Sequence, residues 1–388
     1  MRSSDGEEIA GRILSCGEDF SIYVHLPFCA AKCPYCSFYS YVPSEGEIED
    51  FCSLLEREAG FYGGRLSGGT ARAATLYFGG GTPTLLTAAQ WSALLTCLRD
   101  SIPQTEDIEI TIEANPDSLS EEHLSVWREH RVTRVSVGVQ SLNDGELRLL
   151  ERLHDAGKAE VAIGLCSDAG FSVSADLIFG LPGQTLRTFA RSVRDAVSLG
   201  ADHLSLYQLS IDERCRWSQQ QEVRPEEGYG YYRWAQWHLP RNGLQQYEIA
   251  SFARPGRECR HNRAYWTCGQ VLALGAGAWG YAGGIRYRNQ QSVADYTAVI
   301  ERVSSAVSAV ERLDANANAR EAAVLLLRTS SGIVYEKFSA RHGTERLSGI
   351  LAALRENVPS DCFIQTESSL ALSPRGMRVA NAIWRLIV

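Results

Sequence analysis

Three cysteines lie close together near the start of the chain, at Cys29, Cys33 and Cys36. The spacing C-x3-C-x2-C places their thiols on one short loop directly after an apolar run. Three thiolates can hold a [4Fe–4S] cluster and leave its fourth iron open to a further ligand. The amino and carboxylate groups of S-adenosylmethionine suit that iron, and an electron passed from the cluster to the sulfonium could cleave its carbon–sulfur bond and release a 5′-deoxyadenosyl radical.

A zinc site is the alternative use of the same thiols. Zinc also accepts three cysteines with one histidine, and His25 or a distant cysteine would complete that set. Zinc ribbons use paired C-x2-C units, however, and this chain has one such unit, preceded by C-x3. Cys259 and Cys268 are nine residues apart and do not supply a second pair, so the pattern favours the cluster.

The cysteine loop stands at the start of a regular alternation of β-type runs and helical patterns. The predicted strands are Ser21–Leu26, Ala74–Phe78, Ile108–Glu113, Arg134–Val139, Ser172–Phe179 and His203–Leu209. The predicted helices include Ile48–Glu58, Ala88–Asp100, Glu121–His130, Lys158–Ala169 and Leu186–Leu199. Such βα repetition predicts a parallel sheet whose functional loops meet at the carboxyl ends of the strands, in either an open doubly wound sheet or a partial barrel.

The chain changes character after residue 210. Proline and glycine interrupt an aromatic-rich stretch over residues 211–249, which predicts an irregular connection with helices. Val293–Leu313 is predicted to be helical, and Asp314–Ala317 is predicted to be a hinge into a second domain. The tail then predicts helices at Arg320–Arg328, Val334–His342 and Leu347–Asn357, followed by a hairpin of Cys362–Thr366 with Ser369–Leu372.

The composition argues against nucleic acid as a partner and against a membrane span. The 388 residues carry 38 Lys and Arg against 46 Asp and Glu, and a net charge of −8 offers no basic field to a polyanion. No apolar run reaches the roughly 18 residues of a transmembrane helix and no signal-type segment is found, so we expect a cytosolic protein with at most peripheral membrane contact. An odd number of cysteines, 11, predicts reduced thiols, and Cys52, Cys97 and Cys166 fit apolar helical patterns.

A glycine run follows the second predicted strand, in the order Phe78-Gly79-Gly80-Gly81-Thr82-Pro83-Thr84. Residues without a Cβ let the backbone come close enough to hydrogen-bond the amino group of a bound methionyl moiety. Together with the C-x3-C-x2-C loop and Tyr35 just before its last cysteine, this run resembles the signature of the radical SAM superfamily.

Within that superfamily the chain resembles the coproporphyrinogen-dehydrogenase-like group over roughly residues 21–282 and more weakly into the tail. The matching segments are Tyr23–Cys29, Glu113–Pro116, Val137–Ser141 and Asp176–Thr185. The resemblance implies an α/β fold, a partial (β/α)6 barrel with a small C-terminal α+β winged-helix-like domain.

The same resemblance implies which residues contact S-adenosylmethionine. They are Tyr23, Gly80, Gly81, Thr82, Glu113, Gln140, Arg152 and Asp176. The chemistry is consistent with such roles, because the two carboxylates can accept hydrogen bonds from ribose hydroxyls or a cationic group and the guanidinium can hold the methionyl carboxylate.

Two departures separate the chain from the dehydrogenases themselves. Those enzymes carry a further cysteine two residues after the third, where this chain has Phe38, and they have a longer N-terminal arm. Residues 261–266 instead resemble the HNxxYW motif of the HemW-type heme chaperones. That resemblance implies heme or porphyrin as a ligand, delivery of heme to an acceptor protein, notably a respiratory one, and an electron donor such as flavodoxin or ferredoxin.

The motif makes His261 the candidate heme ligand, because imidazole is a common axial ligand of heme iron. Its neighbours Tyr265 and Trp266 could line a flat macrocycle or could belong to a hydrophobic core. Trp279 stands where relatives often have a histidine, which argues against a second heme-side histidine.

The predicted organisation has four parts: an N-terminal extension at 1–20, the barrel with cluster and cofactor at 21–210, an extension carrying HNxxYW at 211–313 and the C-terminal domain at 314–388. A heme chaperone is the favoured function. An oxygen-independent coproporphyrinogen III oxidase, which would act by oxidative decarboxylation in porphyrin biosynthesis, and a radical SAM enzyme with another substrate stay open. The sequence therefore leaves open whether the protein is an enzyme.

Overall fold

A computed structural model describes residues 4–220 and 223–387, which divide into two units. The first unit joins residues 1–227 with 270–311, and the second joins 228–269 with 312–388. The HNxxYW segment and the tail, predicted as separate parts, therefore fall in one unit. Residues 1–3, 221–222 and 388, which belong to the predicted segments 1–20, 211–313 and 314–388, lie outside the described residues.

The strands are β1 (Phe20–Leu26), β2 (Ala73–Gly80), β3 (Gln104–Ala114), β4 (Arg134–Gln140), β5 (Ser172–Phe179), β6 (His203–Gln208), β7 (Gln245–Gln246), β8 (Ser251–Ala253), β9 (Val271–Leu274), β10 (Trp279–Ala282), β11 (Ile285–Asn289), β12 (Val307–Arg312), β13 (Ile333–Val334), β14 (Phe363–Gln365) and β15 (Ser369–Leu372). The helices are α1 (Ser4–Cys16), α2 (Glu47–Leu66), α3 (Ala88–Ser101), α4 (Glu121–Glu129), α5 (Asp144–Leu149), α6 (Ala156–Asp168), α7 (Leu186–Ser198), α8 (Tyr229–Arg241), α9 (Arg260–Trp266), α10 (Val293–Val303), α11 (Ala315–Leu327), α12 (Tyr335–His342), α13 (Thr344–Asn357), α14 (Pro374–Arg378) and α15 (Ala380–Trp384).

The sheet of the first unit confirms the predicted βα alternation. Strands β1 to β6 are parallel and neighbours in sequence order, and β9 pairs in parallel with the other side of β1. The order continues through β10 and β11, which are antiparallel, to β12. The first and last strands of this order do not pair, so the sheet is an open partial barrel with the carboxyl ends of β1 to β6 on one side.

Local sequence signals begin the helices that separate these strands. Thr87, Ser120 and Thr185 each accept a hydrogen bond from the backbone N–H three residues later, and each forms a reciprocal capping box. Trp91 of α3 and Trp127 of α4 are both fully buried, and their rings meet edge to face at 5.8 Å. The capped helices thus cover the outer face of the sheet with large apolar side chains.

The prediction of one helix over Val293–Leu313 is wrong in its second half. Helix α10 ends because Ser304 adopts a left-handed φ of 58° and its N–H closes the last turn on Ile300. The chain then forms the edge strand β12 next to β11. Helical periodicity alone could not reveal this, because an edge strand depends on the partner strand that it pairs with.

The second unit contains helices around a small antiparallel sheet. Its strands lie in the order β13-β15-β14 and its helices include α11, α12 and α13, which confirms the winged-helix-like prediction for the tail. At the start of the predicted hinge, Asp314 caps α11: its carboxylate accepts hydrogen bonds from the N–H groups of Asn316 and Ala317, both at 2.8 Å. The chain passes from the first unit to the second between residues 311 and 312, next to this segment. Within the described parts of the chain, no helix is both long and apolar enough to cross a membrane.

A buried carboxylate ties the later strands of the first unit to α2. Glu58 accepts hydrogen bonds from the N–H of Gly275 at 2.8 Å, the hydroxyl of Tyr296 at 2.8 Å and the amide of Asn289 at 3.1 Å. Burial raises the pKa of Glu58 to about 7, although these donors act in the opposite direction. One side chain of α2 therefore holds three later segments, which are 217, 231 and 238 residues away from it in sequence.

We expect Glu58→Ala to destabilise the protein, because three buried donors would lose their acceptor. Each such loss costs about 1–3 kcal/mol, so the free energy of unfolding should fall by about 3 kcal/mol or more. Urea denaturation measures the change. Glu49→Ala, at an exposed position of the same helix, is the matched control and should stay within about 0.5 kcal/mol of the parent protein. Equal stability of the two variants would contradict the role assigned to Glu58.

Candidate functional site

The carboxyl ends of the parallel strands surround one cavity of about 460 Å³. Its wall includes the three predicted cluster ligands, Cys29, Cys33 and Cys36. Of the predicted cofactor contacts, the wall includes Gly80, Gly81, Thr82, Glu113, Gln140, Arg152 and Asp176. Tyr23 is not part of this wall as described.

Backbone and side-chain hydrogen bonds hold the cysteine loop in place. The N–H of Cys29 donates to the carbonyl of Tyr41 at 2.9 Å, and the N–H of Tyr41 donates to the carbonyl of Pro27 at 2.9 Å. The ammonium of Lys32 donates across the loop to the carbonyl of Phe38. The loop therefore doubles back on the end of β1 and presents its thiols from a fixed backbone.

Trp217, in the segment after β6, contacts the same loop. The N–H of Trp217 donates to the carbonyl of Pro34 at 3.0 Å, and the indole ring lies 6.0 Å from the ring of Tyr35. Trp217 is buried with Leu150 and Leu209 in a small hydrophobic cluster. The aromatic residue before the last cysteine thus packs on this cluster, which restrains the loop.

The glycine run meets the cysteine loop at a distance that no side chain would allow. Gly80 has a φ of 113°, and a Cβ there would lie within 2.5 Å of the His25 ring. A Cβ at Gly81 would lie 2.3 Å from the carbonyl oxygen of Phe28, and the N–H of Thr82 donates to that carbonyl at 2.6 Å. The sequence predicted glycines for ligand approach; the structure shows that contact with β1 already requires them.

Both ring nitrogens of His25 have other partners, so this residue does not complete a zinc site. Its Nδ1 lies 3.0 Å from the hydroxyl of Tyr23, and its Nε2 lies 3.0 Å from the carbonyl oxygen of Tyr39. Among the described residues, no three His, Cys, Asp or Glu side chains converge on one point suited to a metal ion. A cubane cluster bonds each thiolate to a different iron and does not need such convergence.

Glu113 lies at the end of β3 with its carboxylate turned to the glycine run. It accepts a hydrogen bond from the hydroxyl of Tyr77 at 2.8 Å and from the N–H of Gly80 at 3.1 Å. Burial and, to a smaller extent, the charge of Asp176 raise the pKa of Glu113 to about 7, although these two donors act in the opposite direction. A cationic ligand would lower this pKa and hold the carboxylate charged.

Asp176 lies in a ring of serines at the end of β5. The hydroxyl of Ser136 donates to it at 3.0 Å and that of Ser174 at 3.3 Å. Burial raises the pKa of Asp176, and the serine hydroxyls oppose that shift. Sequence reasoning missed these serines, although their alternate positions on β4 and β5 place them on the same face as known cavity residues.

Arg152 bridges the cysteine loop and the strand ends. Its guanidinium donates to Asn115 at 2.6 Å, to the carbonyl of Gly138 at 3.1 Å and to the sulfur of Cys33 at 3.5 Å. Its Nε is buried without a hydrogen-bond partner in the described structure, and the side chain lines the cavity. The positive charge of this guanidinium at the cavity wall suits an anionic ligand group such as the predicted methionyl carboxylate.

Two residues of the cavity wall have a left-handed backbone conformation. Gln140 has a φ of 63° where the pairing of β4 with β5 becomes irregular. Glu151 has a φ of 51° and ends α5 in a Schellman motif, in which the N–H of Arg152 donates to Leu147 at 3.0 Å. Such conformations cost about 1–3 kcal/mol each in non-glycine residues, and they cluster at functional sites.

The donor set as a whole fits S-adenosylmethionine beside a cluster. Two carboxylates, Glu113 and Asp176, suit a ligand with a sulfonium, an ammonium and ribose hydroxyls, while Arg152 suits its carboxylate. The hydroxyl of Tyr23, the remaining predicted contact, lies 3.0 Å from Nδ1 of His25. Asn115, directly after β3, was missed as a site residue although a polar residue at a strand end is a usable signal.

His261 belongs to the second unit, on α9. It is 1% exposed, and its ring meets the Tyr265 ring edge to face at 5.2 Å. Burial lowers the pKa of His261 to about 3, so the imidazole is neutral, which is the form that binds iron. The ring is nevertheless enclosed in this conformation, and a heme iron would reach it only after α9 or its surroundings move.

The chain is similar to a family model, to heme chaperones of two bacteria and to a solved structure. Residues 23–196 match the model of the radical SAM superfamily. The heme chaperone HemW of Bacillus subtilis is 31% identical over 373 residues, which cover 94% of this chain and 98% of that protein. HemW of Mycobacterium tuberculosis (strain H37Rv) is 32% identical over 391 residues, or 98% of each chain. Among solved structures, the coproporphyrinogen III oxidase HemN from Escherichia coli has a TM-score of 0.85 at 23% identity, covering 97% of this chain and 92% of that one, and this likeness confirms the fold class.

We expect Gly80→Ala to lower both S-adenosylmethionine binding and the iron content after anaerobic reconstitution. The added Cβ would collide with His25 on β1 and force apart the two loops that meet there. Equilibrium dialysis and iron analysis measure the two effects. Gly64→Ala in α2, where a Cβ meets no atom within 4 Å, is the control and should change neither. Normal binding and iron content in the Gly80 variant would refute the assigned contact.

Affinity for S-adenosylmethionine should rise with pH through about 7, because Glu113 must lose its proton to pair with a cation. Between pH 8 and pH 6 the dissociation constant should increase by about tenfold, the change expected for one proton per site below its pKa. Glu113→Gln should bind more weakly and lose this component, so any pH dependence that both proteins share belongs to the ligand. Glu106→Gln, exposed on the same strand, should behave as the parent. Identical profiles for Glu113→Gln and the parent would reject this role.

Proposed function

The chain belongs to the HemW heme-chaperone family of the radical SAM superfamily, and from this premise we propose that it binds a [4Fe–4S] cluster, S-adenosylmethionine and heme and delivers the heme to an acceptor protein. The observation that carries the proposal is similarity to curated heme chaperones over nearly the full length of both chains. Membership of the superfamily implies the cluster and S-adenosylmethionine; heme as cargo is the finer part of the proposal.

The cavity supports the cofactor part of the proposal through its donor types. Cys29, Cys33 and Cys36 would hold the cluster, which together with S-adenosylmethionine supplies one-electron chemistry when bound. Arg152 would hold the methionyl carboxylate with its guanidinium, which Asn115 and Cys33 position at the cavity wall. Glu113 would attract the cationic part of the ligand.

Heme binding and transfer call for partners beyond the cavity. His261 is the candidate axial ligand, neutral at physiological pH but enclosed in the second unit. We include a heme-acceptor protein, notably a respiratory one, and an electron donor such as flavodoxin or ferredoxin in the proposal. A net charge of −8 disfavours nucleic acid and an anionic membrane surface as partners, and we propose that the protein acts in the cytoplasm with at most peripheral membrane contact.

Oxidative decarboxylation of coproporphyrinogen III is the competing function. Its support is the likeness to the coproporphyrinogen III oxidase HemN, which at 23% identity is a likeness of fold. Phe38, where the sequence resemblance implies a cysteine in the dehydrogenases, argues against it. The two functions share cluster and cofactor, so they must be distinguished by cargo and product.

The anaerobically reconstituted protein should bind about four irons in its cluster and, in a separate titration, heme near one per chain. It should form little or no protoporphyrinogen from coproporphyrinogen III with S-adenosylmethionine and reductant. Absorbance titration at the Soret band and product chromatography measure the two outcomes. Rapid decarboxylation would establish the enzyme instead, and a parent protein that binds no heme would remove the chaperone proposal.

Further variants test cluster binding and heme binding separately. Replacing all three of Cys29, Cys33 and Cys36 with Ala should abolish the iron and its chromophore, whereas Cys52→Ala should not, because Cys52 is buried in α2. His261→Ala should change the Soret spectrum or weaken heme binding if the imidazole binds the iron, with cluster content unchanged. Unchanged heme binding by this variant would reject the ligand assignment alone.

A further inference from the structure

Three large apolar side chains stand exposed on the wall of the cavity. They are Phe38, Leu153 and Tyr207, with exposed fractions of 67%, 53% and 47%. They come from the cysteine loop, the segment after α5 and the end of β6, and we call them the apolar rim. Single exposed apolar residues are ordinary on protein surfaces, but several that line one concavity indicate a surface that a ligand covers.

The rim is held in place by the same contacts that build the site. The carbonyl of Phe38 accepts a hydrogen bond from the ammonium of Lys32, which also donates to the hydroxyl of Ser40 at 3.0 Å. Leu153 directly follows Arg152, whose guanidinium is anchored at three points. The two side chains therefore project from restrained backbone and form a preorganised surface.

Charged side chains near the apolar rim indicate which class of ligand would bind there. Lys32 is exposed, lines the cavity and places its ammonium beside the backbone of Phe38. The wall residue Glu151 is paired with Arg216, so its negative charge is balanced. Cations beside an apolar surface complement a ligand that combines a broad apolar face with carboxylates at its edge.

Resting on the proposed function, we propose that the apolar rim of Phe38, Leu153 and Tyr207 is the seat of the heme macrocycle, with the propionates towards Lys32. A porphyrin has the required flat apolar face and two carboxylates on one edge. The polar groups deeper in the cavity stay available for the cluster and S-adenosylmethionine. The seat places the cargo against the cofactor cavity and is an alternative to the His261 site, because contacts with the ring face hold the heme there without an axial ligand.

The test compares heme affinity in rim and off-cavity variants of the reconstituted full chain. Phe38→Ser combined with Leu153→Ser should weaken the binding of iron protoporphyrin IX by at least tenfold in a Soret titration. Val42→Ser is the matched control, because Val42 is 58% exposed a few residues beyond Phe38 and does not line the cavity. It should leave heme affinity unchanged, and iron content should be equal in all three proteins.

The outcomes separate the seat from the proposed function. If the parent binds heme and the double variant binds it equally well, the seat is wrong and the heme chaperone stands. If the parent binds no heme, the proposed function fails and the seat with it. If the double variant binds heme as the parent does but binds S-adenosylmethionine more weakly, the rim contacts the adenine ring. If it binds heme as the parent does but flavodoxin reduces its cluster more slowly, the rim contacts the electron donor. Either result overturns the seat.

A ligand-side titration tests the charge argument. Iron protoporphyrin IX dimethyl ester, whose propionates are uncharged, should bind the parent more weakly than heme does, and raising the salt concentration should weaken heme but not the ester. The double variant should lose affinity for both compounds by the same factor, because it removes contacts to the ring face. An ester that binds as tightly as heme would overturn the orientation towards Lys32.

Discussion

The close approach of two backbone segments, the ends of β1 and β2, is the constraint on which the site depends. Gly81 fits against the carbonyl of Phe28 only because it has no Cβ, and Gly80 faces His25 in a backbone conformation that side chains disfavour. This contact lets the N–H of Gly80 reach Glu113 on β3. The cysteine loop, the glycine run and the acidic strand end therefore form one wall.

Several features of the cavity that suit a ligand lower the stability of the ligand-free protein. Glu113 is buried near a second carboxylate, Gln140 holds a left-handed backbone, and Arg152 keeps a buried donor without an acceptor. Each feature is unfavourable in the free protein, since burial penalises charge and unpaired polar groups. A ligand of mixed charge would relieve them together, so binding and the stability of the loaded protein are coupled.

The second unit gives the HNxxYW motif a structural role besides any contact with heme. The guanidinium of Arg328 lies 4.1 Å from the ring centre of Trp266 and 5.4 Å from that of Trp384, and it forms an ion pair with the buried Glu248 at 3.6 Å. Such stacking stabilises a partly buried cation. The aromatic end of the motif thus belongs to the packing of this unit, and the imidazole of His261 is shielded within it.

The sequence by itself determined the βα order, the cysteine loop after β1 and the glycine run after β2, because each follows from local periodicity, spacing and the geometry of parallel sheets. Family resemblance also identified the three cysteines and seven further residues of the cavity wall. Only the tertiary structure decided that the hydroxyl of Tyr23 lies within hydrogen-bonding distance of His25, that Glu113 has a pKa near neutrality and that β12 replaces half of a predicted helix. The orientation of a side chain, the pKa of a carboxylate and the pairing of an edge strand all depend on neighbours from distant segments, and local sequence does not contain those neighbours.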